Sequence, residues 1–96
     1  MNKEENEKLL KLAGWVLTSS YRNRVMIALG GKLKTPTTLA RESGVKTNHI
    51  SKILGDLKNN GLVVCINEEA KKGRLYQATD LGNQVMKKTK MINEKE

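Results

Sequence analysis

Phenylalanine is missing from this 96-residue chain, which has one Trp and two Tyr. With so few rings, stacking platforms for unpaired bases are poorly supplied. A single cysteine, Cys65, excludes an internal disulfide. A single histidine, His49, leaves too few ligands for a protein-built zinc site. No apolar run is long enough to span a bilayer. The start, Met1-Asn2-Lys3-Glu4-Glu5-Asn6-Glu7, is polar, and no apolar signal segment follows a basic start. The expected location is therefore the cytoplasm. Catalysis is not expected either. No nucleophile–base pair, paired acidic site, metal cluster or glycine-rich phosphate loop assembles from these residues, and no cofactor is expected.

Positive charge, by contrast, is plentiful. The formal net charge is +8, and it is concentrated. From Ser20 to Arg74, 11 Lys and Arg stand against 4 Asp and Glu, a net of +7. Met1–Ser19 is neutral, and Leu75–Glu96 carries +1. A basic field attracts polyanions and speeds their encounter, although a solvated basic surface has the same composition. With 38% hydrophobic residues, the chain has material for one small domain with one modest core.

Hydrophobic spacing and punctuation divide the chain. Lys8–Thr18 reads as a helix on Leu9, Ala13, Val16 and Leu17, with Leu10, Leu12 and Trp15 widening the stripe. One face of it can pack on the core and the rest on a partner subunit; a wholly internal role fits equally. Ser19 or Ser20 then caps a helix over Tyr21–Leu29, with Val25, Ile27 and Leu29 apolar, ended by Gly30-Gly31. Thr35-Pro36 is a helix start, and the short helix Pro36–Ser43 stops at Gly44. A further helix covers Thr47–Asn59. Leu62–Ile66 and Arg74–Ala78 read as strands of a hairpin around a polar loop, Asn67–Gly73. Thr79-Asp80 opens a last helix carrying Leu81, Val85 and Met86, with fraying expected within Lys90–Glu96.

Leu39-Ala40-Arg41-Glu42-Ser43-Gly44-Val45, followed by Ile50, Ile53 and Leu54, is the most specific local signal. Ala40 is small where two helices cross, Gly44 suits a sharp turn, and the later apolar residues fill the angle between the helices. These constraints describe a helix-turn-helix. Within Thr47–Asn59, Ile50, Ile53, Leu54 and Leu57 form one face. The opposite face holds Asn48, Ser51, Lys52, Gly55 and Asn59, with no large apolar residue. Asn can pair with adenine, Lys with guanine, and Ser with a base or phosphate. Thr47 can meet a phosphate or a thymine methyl. Gly55 fits either a close backbone approach or a neutral surface position. His49 reads as a boundary residue near this face rather than a metal ligand or general base.

The hairpin that follows carries Lys71-Lys72-Gly73-Arg74, which lacks the glycine spacing of a phosphate-binding P-loop. Directly after a helix-turn-helix, such a hairpin forms a wing able to follow a nucleic-acid backbone or reach the minor groove. Glu68 and Glu69 dilute its charge and are expected to face solvent.

The series Thr35-Pro36-Thr37-Thr38-Leu39-Ala40, Gly44-Val45-Lys46-Thr47-Asn48-His49-Ile50-Ser51, Gly61-Leu62-Val63 and Arg74-Leu75-Tyr76 with Thr79 and Gly82 resembles the MarR/ArsR-like winged-helix regulators, especially short archaeal members. The likeness spans roughly residues 20 to 86. It implies a recognition helix at Thr47–Asn59, a wing at Glu68–Arg74, and a homodimer made by terminal helices. Metal-sensing relatives carry cysteine pairs or His/Asp clusters, whereas Cys65 stands alone and reads as a core residue, so metal sensing is disfavoured. Whether a small-molecule effector exists stays open.

The expected fold is α+β, mainly α: a winged helix-turn-helix with a two-stranded β wing and flanking terminal helices. One domain is expected, with an N-terminal dimer helix in 1–19, the winged-helix core in 20–78 and a C-terminal helix with a frayed tail in 79–96. The candidate DNA-contacting residues are Thr37, Lys46, Thr47, Asn48, His49, Ser51, Lys52, Lys71, Lys72 and Arg74. The expected function is sequence-specific binding of double-stranded DNA by a homodimer that regulates transcription. A non-specific architectural DNA-binding protein and a protein-interaction winged helix are the alternatives.

Overall fold

A computed structural model describes residues 2–94. Five helices and two strands follow one another as α1 (Lys3–Leu17), α2 (Ser20–Leu29), α3 (Pro36–Ser43), α4 (Thr47–Asn59), β1 (Val63–Cys65), β2 (Tyr76–Ala78) and α5 (Asp80–Glu94). The strands pair antiparallel, with Val63 opposite Ala78 and Cys65 opposite Tyr76. Lys34 adds an antiparallel bridge to Tyr76 through reciprocal backbone bonds of 3.0 and 2.9 Å. This is the expected winged helix-turn-helix fold.

Four of the five helices begin where a side chain satisfies free amides, α4 being the exception. Ser19 accepts from Arg22 N, and Thr35 accepts from Thr38 N with Pro36 at the first helical position. Thr79 Oγ1 accepts from Gly82 N at 3.0 Å. α1 starts five residues before the expected Lys8. Asn2 Oδ1 accepts from Glu5 N at 2.8 Å while Asn2 Nδ2 donates to Glu5 Oε1 at 3.1 Å, a reciprocal cap. Glu4 and Glu5 also lie in the first turn, where the helix dipole favours negative charge.

The core takes residues from all five helices and β1. α1 lays Leu9, Ala13 and Val16 inward, chiefly against α5. Leu10 lies outside that stripe and is exposed. In α2 the inward set is Val25, Met26 and Leu29; Ile27 points away and is 63% exposed. α4 buries Ile50, Ile53, Leu54 and Leu57, as its spacing predicts. Each such side chain contributes about 1.5–3 kcal/mol on burial. Cys65 is buried, and α5 adds Val85 and Thr89.

The strands are shorter than expected, for local reasons. Gly61 N donates to Lys58 O at 2.9 Å and Leu62 N to Leu57 O at 3.0 Å, the two bonds of a Schellman cap. Leu62 therefore finishes α4 instead of opening β1. At the other end, Ile66 N still bonds Leu75 O at 3.0 Å, but Asn67 Oδ1 then takes Leu75 N at 2.7 Å and the ladder stops. α5 runs to Glu94, and Lys95 and Glu96 of the tail expected to fray lie outside the described residues.

Candidate nucleic-acid interface

The helix-turn-helix is α3, the turn Gly44–Lys46, and α4. Gly44 has φ 75°, a left-handed conformation that favours glycine, and its N–H bonds Ala40 O at 3.0 Å. Ser43 Oγ accepts from Val45 N at 3.2 Å, so the turn is held from inside. Val45 and Ala40 are buried and set the spacing between the two helices.

Because α4's apolar face is fixed in the core, its other face must point outward. Thr47, Asn48, His49, Ser51, Lys52 and Asn59 are all exposed, and Gly55 is half-buried. Lys46 precedes the helix without a side-chain cap, so the helix's first amides stay available to a ligand. Thr37 and Arg41 of α3 join Lys46, Thr47 and Asn48 around an open hollow of about 520 Å³. Lys52 is not wholly free: its Nζ lies 3.3 Å from Asp56 Oδ2, one turn on. With Lys52 78% exposed, that pair is weak enough for a phosphate or base to displace it.

The wing is organised by Asn67. Its Nδ2 donates to Gly73 O at 3.2 Å while its Oδ1 accepts from Leu75 N. Arg74 folds back, its Nε donating to Ala70 O at 2.8 Å. Arg74 thus shapes the loop as well as charging it. Lys71 and Lys72 are exposed at the tip and have no ion-pair partner among the described residues. Glu68 does not simply face solvent. It pairs with Lys58 in the last turn of α4 and ties the wing to the helix. The hydrogen bond from Lys58 holds the Glu68 carboxyl below its ordinary value, and Glu68 in turn raises the Lys58 ammonium above its own.

Sequence spacing missed a contribution from α2. The Tyr21 ring lies 5.8 Å from the His49 ring at 35°, and the Arg24 guanidinium lies 5.1 Å from the Tyr21 centroid. Tyr21, Arg24 and His49 are all exposed. The central enrichment in charge already included Arg24, but helical spacing within α2 says nothing about which element it will meet. Among the described residues no three His, Cys, Asp or Glu side chains group to hold a metal ion. No helix of the described residues is long and apolar enough to cross a membrane.

The protein is thus a winged helix-turn-helix protein by architecture. Among solved structures it is similar to TubR bound to 24 bp of tubC, from Bacillus thuringiensis serovar israelensis pBtoxis, with a TM-score of 0.76. The match covers 88% of this chain and 94% of that one, at 12% identity. No protein-family model matches the sequence. No curated protein matches it either.

Proposed function

We propose that this chain binds double-stranded DNA as a homodimer, reads particular sites, and regulates transcription in the manner of the MarR/ArsR-like regulators its motifs resemble. The observation that carries the reading is the outward face of α4. It presents Thr47, Asn48, Ser51 and Lys52 to solvent, has no large apolar residue, and follows an uncapped helix start flanked by Lys46. Amide, hydroxyl and ammonium groups on a protruding helix suit base edges in a major groove, and the free amides suit a phosphate. Lys71, Lys72 and Arg74 add a second cationic element on the wing. The structural likeness to a protein bound to 24 bp of tubC supports the same partner class.

The dimer is inferred from α1 and α5. Leu10 and Met91 are exposed, at 42% and 49%, beside Ile92 on the outer side of this helix pair. Two copies joined there would offer two α4 helices to a pseudo-palindrome, with half-sites about 34 Å apart. Sedimentation of the wild type and of a Leu10→Glu, Met91→Glu double variant tests this. A wild-type dimer and a variant monomer are expected; a wild-type monomer at micromolar concentration removes the dimer.

Sequence reading is tested by selecting genomic duplex fragments with purified protein at near-physiological salt and excess competitor DNA. A few fragments sharing an inverted repeat are expected. On such a fragment, Asn48→Ala and Lys52→Ala should each lower affinity and relax base preference. Uniform recovery that collapses with added salt identifies a non-specific architectural protein instead, and no recovery overturns DNA binding.

A further inference from the structure

α2 carries two arginines, Arg22 and Arg24, whose surroundings are opposite. Two residues apart on a helix, they leave it on different sides. The Arg22 guanidinium lies 4.0 Å over the Trp15 ring, and its Nη1 donates to Trp15 O at 2.9 Å and Thr18 Oγ1 at 3.2 Å. It bonds one carbonyl and one hydroxyl at the end of α1 and is half-buried there. Arg24 has no carboxylate partner among the described residues, and its side chain donates no hydrogen bond there. It lies near the Tyr21 ring and reaches the helix-turn-helix turn, where a Cβ on Gly44 would meet its Nη1 at 3.4 Å.

Three polar side chains from two different helices therefore cluster beside the start of α4, linked through the Tyr21 ring: Arg24, Tyr21 and His49. None of these groups is engaged in a hydrogen bond within the described protein. An aromatic ring exposed by 39% with an arginine against it is a ready platform: cation–π contact holds the cation while the guanidinium edge stays available. A planar, fork-shaped donor held in this way suits two oxygens of one phosphate.

We propose that Arg24, supported by Tyr21 and His49, grips a backbone phosphate on the DNA strand bordering the groove that α4 enters. This rests on the DNA-binding reading and extends it to a helix outside the helix-turn-helix. The contact is sequence-independent. It sets how deep and at what angle α4 lies, while Asn48 and Lys52 discriminate bases.

The test measures affinity across a salt series for two probes, a fragment recovered by selection and a mixed-sequence duplex of about 30 base pairs, long enough for a dimer whose two α4 helices lie about 10 base pairs apart. Arg24→Gln should weaken both about tenfold and lower the log–log salt slope by about 0.9 per bound chain. Arg24→Lys should keep the slope but lose part of the affinity, because charge remains without the planar fork. Tyr21→Ala should do the same, by removing the platform. Melting curves for all variants are expected to match the wild type, since these groups are exposed. Unchanged slope and affinity in Arg24→Gln, with the wild type binding, overturns the clamp alone. Loss confined to the selected fragment makes Arg24 a base reader and also overturns it. No duplex binding by the wild type overturns the clamp together with the reading beneath it.

Discussion

Replacing Gly82 by alanine should destabilise the fold, although alanine is the better helix former. Gly82 lies in the first turn of α5, and a Cβ there would sit 2.1 Å from the Leu62 carbonyl oxygen and 3.1 Å from its carbon. Ordinary C···O contacts fall near 3.3–3.6 Å, so backbone must move by roughly 1.2 Å. The obstacle is not a flexible side-chain end. The same oxygen accepts from Thr79 N at 3.0 Å, and Thr79 Oγ1 donates to Gly61 O at 2.6 Å, so the helix start is stitched to this turn. Overpacking costs about 1–3 kcal/mol and a weakened hydrogen bond about 1, against about 1 gained in helix propensity. The net loss is about 1–3 kcal/mol, or roughly 5–20 °C in Tm for a domain of this size. Gly14→Ala is the control, since nothing lies within 4 Å of its added Cβ; it should gain up to about 1 kcal/mol. Urea titrations followed by Trp15 fluorescence give both values, with the slope expected unchanged. Equal or higher stability for Gly82→Ala would refute the argument from close approach.

Gly55→Ala, also with no atom within 4 Å, should raise folding stability by roughly 0.5–1 kcal/mol yet weaken duplex binding, if the groove comes close to that face; equal binding by filter assay identifies a neutral surface glycine. Asp56→Asn should tighten DNA binding two- to fivefold, roughly 0.5–1 kcal/mol, by freeing Lys52 and removing a like charge from the phosphates, and a weaker complex would sink that account. The hydrogen bond from Lys34 holds Glu42 below its ordinary value of 4.5. Its contribution is therefore complete above pH 4.5 and disappears as pH falls through the lowered value, so acid melting curves of Glu42→Gln should decline less steeply than those of the wild type. The Lys58–Glu68 tie should be complete between pH 4.5 and 10.5 and open only as pH falls through the lowered Glu68 value or rises through the raised Lys58 value; a Glu68→Gln wing whose amide exchange matches the wild type at neutral pH would contradict it.

Much of this architecture is legible in the chain because burial and punctuation agree. Ile50, Ile53, Leu54 and Leu57 fix the rotation of α4, and that rotation alone exposes Asn48, Ser51 and Lys52. Thr35-Pro36, Gly44 and Asn60-Gly61 mark boundaries that the backbone keeps. What escapes is physics that periodicity does not record. Residues 3–7 contain no apolar side chain, and their helix is initiated by the Asn2–Glu5 cap instead. The bridge at Lys34 is a single pair, too short to pattern. Glu68 faces solvent as its composition suggests, but its pairing with Lys58 depends on how the hairpin folds back on α4. Arg24 and Arg22 look alike in sequence, and only the neighbouring helices separate them. Such contacts are decided between elements, where a one-dimensional pattern carries no information.

The packing of α1 against α5 has a consequence for the chain as it is made. Of these five helices, the one made earliest has its main partner made latest, with the helix-turn-helix and the hairpin between them. Until α5 leaves the ribosome, Leu9, Ala13 and Val16 lack their main cover, and α1 carries a sticky face. Local pairs such as α3 with α4 and β1 with β2 can settle meanwhile, and closing the longest loop comes as the final act of folding. The helix-turn-helix and its hairpin can thus mature before α1 and α5 meet.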